Sequence, residues 1–203
     1  MRTLVIETAT SACSVALIED GRVLAAGHDV VGRGHAERLV PMIAQLPDGG
    51  RASAVLVDCG PGSFTGLRVG LAAGLGFGIG WAAHVAGYSS LALVAAAGFA
   101  RHPGLETLAV VMEGGHGEVF MQAFAREPFQ ECGPFASLKP ADALAALAGR
   151  LAIGDGVRHL PTADVEHALP DARDVLLLPP AMTTLPPRPI YGRAPDAKPN
   201  VDR

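Results

Sequence analysis

The stretch from Cys59 to Ala83 leaves this chain the fewest choices. Ahead of it, Ser53-Ala54-Val55-Leu56-Val57-Asp58 is a short apolar run of the kind that forms a buried strand. Gly60-Pro61-Gly62 breaks that strand, because these residues supply turn geometry that others resist. Ser63 and Thr65 follow, and each can cap a helix by offering its oxygen to unpaired N–H groups of the first turn. Gly66, Gly70, Gly74 and Gly78 then recur every fourth residue, so they drift slowly around one helix face. Glycine inside a helix costs about 1 kcal/mol relative to alanine. Four on one face therefore predict a smooth groove into which another helix or strand presses closely.

The same strand, turn and helix start can gather several N–H groups and the positive end of a helix dipole at one point. Gly60, Gly62, Ser63, Thr65 and the cation Arg68 are the candidate residues for an anion or nucleotide site. A plain α/β connection shaped by backbone needs explains the loop equally well. Glu7, Thr8 and Thr10 close the first strand, and a carboxylate there can hold magnesium beside phosphates. Alternatively, Glu7 caps the turn from Ala9 to Ala12.

The catalytic inventory is thin. Seven histidines are scattered without HxxH or HxxxH spacing, which predicts no metal site. The glycine loop lacks the lysine of a Walker A motif, and Gly62-Ser63-Phe64-Thr65-Gly66 is out of frame for a GxSxG elbow. Net charge is −4, which argues against binding nucleic acid mainly through this chain itself. Cys13, Cys59 and Cys132 show no CxxC spacing, and the N-terminus enters a strand pattern at once. A reduced, cytoplasmic setting is expected. Val69 to Ala100 carries no charged residue, long enough for a membrane span. Its glycines, with His84, Ser89 and Ser90, read instead as helix, short strand and helix in a soluble core, so no membrane association is expected.

Read in order, three antiparallel strands open the chain: Thr3 to Glu7, Cys13 to Ile18 and Arg22 to Ala26, the last two joined by an Asp20-Gly21 hairpin turn. A helix from His35 to Leu46 carries Leu39, Met42, Ile43 and Leu46 at helical spacing, with Pro41 predicting a kink or a late start. The strand, the pivotal helix, a strand at His84 to Ala86 and a helix from about Ser89 to Arg101 follow. After Arg101-His102-Pro103-Gly104 a strand pattern restarts at Thr107 to Met112 and Glu118 to Ala125. A possible strand from Phe129 to Phe135, a helix from Pro140 to Ala148 and a strand at Leu151 to Ile153 complete what resembles an eroded repeat. The expected division is residues 1–102 as one lobe, 103–185 as a smaller one and 186–203 as a proline-rich tail. Seven prolines between Pro179 and Pro199 predict an extended rather than packed end.

Several stretches resemble the TsaB (YeaZ) family of bacterial tRNA threonylcarbamoyladenosine biosynthesis proteins. They are Ile6-Glu7-Thr8-Ala9-Thr10, Cys13 to Leu17, His35 to Ile43 and, most specifically, Gly60 to Gly70. Gly117-Glu118-Val119-Phe120 and Pro189-Ile190-Tyr191 through Arg193 add weaker matches. The resemblance implies an α/β, actin-like ATPase fold of two ribonuclease-H-like lobes, the second shortened. It also implies a non-catalytic subunit that pairs with and stabilises a TsaD-type transferase, beside a TsaE-type ATPase, in modifying tRNA next to the anticodon. Without its partner such a chain forms a homodimer. Any ADP or ATP with magnesium belongs at the interface of the assembled complex. The partner surface it implies is formed by His35, Leu39, Met42, Ile43 and Leu46 with Gly66, Gly70, Gly74 and Gly78. Glu7 stands where the family usually has aspartate, and Glu113-Gly114-Gly115-His116 replaces an Asp-Ala-Arg run. The rival reading is an actin-like small-molecule kinase or ATPase, with Glu7 and the Gly60 to Arg68 loop holding magnesium nucleotide.

Overall fold

The computed structural model describes residues 1–161 and 164–192. Strands β1 (Arg2–Glu7), β2 (Ala12–Glu19) and β3 (Arg22–Val30) form an antiparallel meander. Asp20 and Gly21 adopt φ of 49° and 75°, the two left-handed residues that a tight primed hairpin turn requires. Helix α1 (His35–Ala44) crosses to β4 (Ala54–Asp58), and α2 (Phe64–Trp81) crosses to β5 (His84–Tyr88). Both strands join in parallel, which gives the sheet order β3-β2-β1-β4-β5. Pro41 lies within α1, which begins at His35 and not later.

Helix α3 (Ser90–Arg101) separates this sheet from the next, and every residue from Ser90 to Phe99 is buried. A helix apolar on all sides is what such a position between layers requires. The second sheet repeats the pattern of the first with shorter parts. Strands β6 (Thr107–Gly115) and β7 (Glu118–Ala125) form a hairpin, and β8 (Gln130–Glu131) and β9 (Ala136–Leu138) border β7. Of the strand predicted from Phe129 to Phe135 only Gln130–Glu131 is strand, and β9 begins just beyond it. Helix α4 (Pro140–Leu147) leads to β10 (Ala152–Ile153), parallel to β6, and β11 (Val165–Glu166) runs parallel to β10. Where the first lobe has α2 and α3, the described residues of the second have 3-10 turns at Gly156–His159, Ala172–Leu177 and Pro180–Thr183.

Alternation along the strands distributes side chains between three cores. Leu4, Ile6, Val15 and Leu17 meet α1 and α2, whereas Val5, Ala16 and Ile18 meet α3. Leu108, Val110 and Met112 reach α3 from the other side, and Ala109 and Val111 face α4. The layers run α1 and α2, sheet, α3, sheet, α4.

The end of the chain corrects one expectation. Up to Gly192 the proline-rich segment is packed rather than free. Leu185 exchanges backbone hydrogen bonds with Gly87 at 2.7 and 3.0 Å, and the Ile190 N–H donates to Cys59 O at 2.7 Å. Leu185 and Ile190 keep the N–H that their proline neighbours lack, so the segment still docks along the free edge of β5 and the loop after β4. Arg193 and the rest of the predicted tail lie outside the described residues.

Candidate functional site

Strands β1 and β4 end side by side, and the loops leaving them touch. The Ser63 N–H donates to Ala9 O at 2.6 Å, and Ser63 Oγ caps α2 by accepting from the Gly66 N–H at 3.3 Å. The Thr8 hydroxyl donates to Gly66 O at 2.9 Å. Contact this close leaves no room for side chains. A Cβ on Gly62 would stand 2.2 Å from Ala9 O, and one on Gly66 or Gly70 only 2.1 or 2.3 Å from Thr8 oxygens.

The glycine stripe therefore receives the chain's own sheet. Gly74 lies over Val57 and Gly78 over Val85, and all four stripe glycines are buried. The expected partner surface is corrected accordingly. Leu39, Met42, Ile43 and Leu46 are buried in the core shared with β1 and β2, and His35 Nε2 meets Ala12 O at 3.1 Å. The outward sides of the same helices carry other residues: Val40, Leu75 and Ile79 are exposed by 52, 41 and 86 %.

Above the loops lies a cleft of about 780 Å³ between the two sheets' hairpin ends. Of the predicted site residues, Thr10, Gly62, Ser63 and Arg68 line it. Thr65 is exposed on the first turn of α2 but is not part of the lining, and Glu7, Thr8 and Gly60 lie beneath the floor. Both Glu7 oxygens are engaged from within, by the Ala9 N–H at 2.9 Å and the Tyr88 hydroxyl at 3.1 Å. Glu7 caps the turn and is not placed to hold magnesium in the cleft.

The cleft also gathers Ser11, Arg33, Phe64, His116, Asp155 and Tyr191, which sequence reasoning did not assign to it. These come from six separate stretches, so no spacing joins them. Arg68 lies 3.7 Å from the centre of the Phe64 ring and donates to Tyr191 Oη at 3.3 Å. Arg33 and Arg68 make the α2 side of the cleft basic. Opposite, Glu113 pairs with Arg158, and burial raises Asp155 despite its bond from the Glu113 N–H at 3.0 Å. Such a site can hold an anionic or planar group between its basic and aromatic wall and the loops. Ser63 spends its hydroxyl on the helix cap, and among the described residues it meets no histidine or carboxylate base.

Two linked lobes, each opened by an antiparallel meander and continued by parallel strands, with a cleft between them, define an actin-like ATPase fold. Residues 29–152 match the TsaD family, tRNA N6-adenosine threonylcarbamoyltransferase, and the chain belongs to that family. Within it, the chain is similar to the TsaB or YeaZ type. It is 33 % identical over 132 residues to the tRNA threonylcarbamoyladenosine biosynthesis protein TsaB of Escherichia coli K12, covering 63 % of this chain and 56 % of that protein. The Haemophilus influenzae TsaB is 33 % identical over 129 residues, 61 % of this chain and 54 % of that protein. The match thus spans little more than half the length of these curated relatives. YeaZ from Pseudomonas aeruginosa superposes with a TM-score of 0.73 at 29 % identity, covering 87 % of this chain and 89 % of that one. A second solved protein, described by its similarity to the peptidase YeaZ from Pseudomonas aeruginosa, gives 0.76 at 30 % identity, covering 95 and 99 %.

Proposed function

We propose that this chain is a non-catalytic subunit required for threonylcarbamoyladenosine modification of tRNA, which pairs with and stabilises a catalytic TsaD-type transferase. The observation that carries the proposal is the outward side of α1 and α2. These helices pack against each other and turn Leu39, Met42 and Leu71 inward, yet Val40, Leu75 and Ile79 remain exposed on their outer sides. A group of exposed apolar side chains marks a contact surface. The occupant assigned to it is the TsaD-type subunit, and a second copy of this chain competes for the same face when that subunit is absent. A TsaE-type ATPase joins the pair in the cytoplasm. With a net charge of −4, the chain meets tRNA through the complex rather than alone.

The names of the curated relatives support the pathway. The fate of the catalytic candidates supports the subunit role, since Glu7 is sealed beneath the floor and Ser63 is spent on a cap. ADP or ATP with magnesium would sit at the interface of the assembled complex. Gly62, Ser63, Arg33 and Arg68 are the groups of this chain that could meet its phosphates. The cleft and these basic groups also favour a second reading, a small-molecule kinase or ATPase. Tight, magnesium-dependent ATP binding with turnover by the isolated chain would support that reading instead.

The test uses Leu75→Asp and Ile79→Asp, sized by light scattering alone and mixed with the TsaD-type subunit, beside circular dichroism. Both variants are expected to fold and to lose pairing. A loss of about 3 kcal/mol weakens association more than a hundredfold. Folded variants that pair like the parent would place the interface elsewhere.

A further inference from the structure

Beneath the cleft floor lies a cluster that the proposed function does not use. Glu7 ends β1 and Asp58 ends the parallel neighbour β4, and both are 0 % exposed. Tyr88 ends β5 and Ser90 opens α3 against them. The Gly60 N–H donates to Asp58 Oδ1 at 2.7 Å, and the Ser90 hydroxyl donates to the same oxygen. The Tyr88 hydroxyl has one proton and two acceptors in reach, Ile6 O at 2.9 Å and Glu7 Oε2 at 3.1 Å. The Thr8 N–H favours the charged form of Asp58, but Asp58 Oδ2 completes no hydrogen bond of ordinary geometry. Among the described residues no lysine, arginine or histidine forms an ion pair with either carboxyl group. The register that pairs Ile6 with Val57 sets Glu7 beside Asp58 at the ends of the two parallel strands, and each carboxyl group shifts the titration of the other.

Two uncompensated charges in contact in a dry site are not sustained, whereas one proton between them satisfies the bare oxygen. We propose that Glu7 and Asp58 share one proton, the Glu7 carboxylic acid donating to Asp58 Oδ2, and that this bridge is a pH-operated latch holding the Ala9 turn and the Gly60 loop under the cleft. Asp58 is the member that carries the charge, because the Ser90 hydroxyl and the Gly60 N–H both donate to it. Burial, and then the charge of Asp58, raises Glu7 well above the ordinary carboxylate range, while burial raises Asp58 to about 6.

The other titrating neighbours stay out of the way. Burial raises Tyr88 well above its ordinary value and lifts the thiols of Cys13 and Cys59 to about 11. The α2 side presents the backbone of Gly66, bonded to Thr8, while Arg68 of that helix is engaged by the Phe64 ring and the Tyr191 hydroxyl. With both carboxyl groups raised, the folded chain holds more protons than the unfolded one above the ordinary carboxylate range. The proton-linked stability of the pair is therefore fully present in acid below that range and is lost as pH rises through the raised values, the single shared proton being held between the Asp58 value of about 6 and the higher one of Glu7. While one extra proton is held, each pH unit shifts the unfolding equilibrium up to about tenfold.

The experiment is urea unfolding of the full chain between about pH 5 and pH 8, for the parent and Glu7→Gln, with infrared spectra at neutral pH. The glutamine keeps an N–H donor for Asp58 Oδ2 and an oxygen for the Ala9 N–H, but it cannot ionise. The parent is expected to show the steeper loss of stability with pH, by up to about tenfold per unit. It should also show a protonated-carboxyl band that Glu7→Gln lacks. Asp58→Asn, whose amide donates to Glu7, provides a second comparison if Glu7→Gln does not fold. Equal pH slopes, or no protonated carboxyl that either variant removes, would overturn the latch. So would magnesium stabilising the parent but not Glu7→Gln, because a cation would then fill the gap.

Discussion

Gly70 and Gly76 stand six residues apart in α2, yet they meet opposite surroundings. A Cβ at Gly70 would fall 2.3 Å from Thr8 Oγ1, whereas nothing lies within 4 Å of one at Gly76. Gly70→Leu is expected to destabilise the fold by about 3 kcal/mol or more through forced displacement of β1. Gly76→Ala should stabilise it by about 0.5–1 kcal/mol, because alanine restricts the unfolded chain and suits a helix. Urea unfolding checks both, and equal effects at the two sites would refute the placement of the stripe. The four-residue repeat made a close-packed helix face legible. It did not say whether that face meets the chain's own sheet or a partner, since any contact that close produces the same glycines. Glu7 was legible as a turn cap, but its burial depends on Tyr88, whose place beside it is set only when β5 joins the sheet.

The order of strands and helices through Arg101 followed from periodicity, turn residues and caps, with Ser63 and Ser89 both accepting from the first turn of their helices. What stayed hidden was which side of α2 faces in, because Leu71, Leu75, Phe77 and Ile79 make nearly every face apolar. The docking of the C-terminal segment was hidden for a different reason: seven prolines mask the few N–H groups that form its bonds. That segment covers Cys59, whose Sγ lies 3.6 Å from Pro186 O and is buried. Truncation before Leu185 is expected to make Cys59 react with a thiol reagent. The exposed Cys132 serves as the reference in both forms. If Cys59 stays unreactive in a folded truncation, the segment is not its cover.

At the scale of the whole molecule, two lobes of the same plan differ in completeness. The first has α2 and α3 where the second has 3-10 turns; α3 is buried between the sheets, so α1 and α2 carry the exposed helical faces of the first lobe. The cleft between them draws Arg33, His116, Asp155 and Tyr191 from distant stretches, which is why only Thr10 and the Gly60 to Arg68 edge were readable in advance. Arg68→Ala removes the cation that links Phe64 to Tyr191, and it should leave pairing through α1 and α2 intact. Light scattering with the TsaD-type subunit checks this, and lost pairing would tie the cleft to the interface. The central claim is that the chain serves tRNA modification as an obligatory subunit. It is tested most directly by depleting the protein in its own cells and measuring threonylcarbamoyladenosine in nucleosides from bulk tRNA. The account predicts that the modified nucleoside falls and is restored by the parent chain but not by Ile79→Asp. Unchanged threonylcarbamoyladenosine after depletion would contradict it.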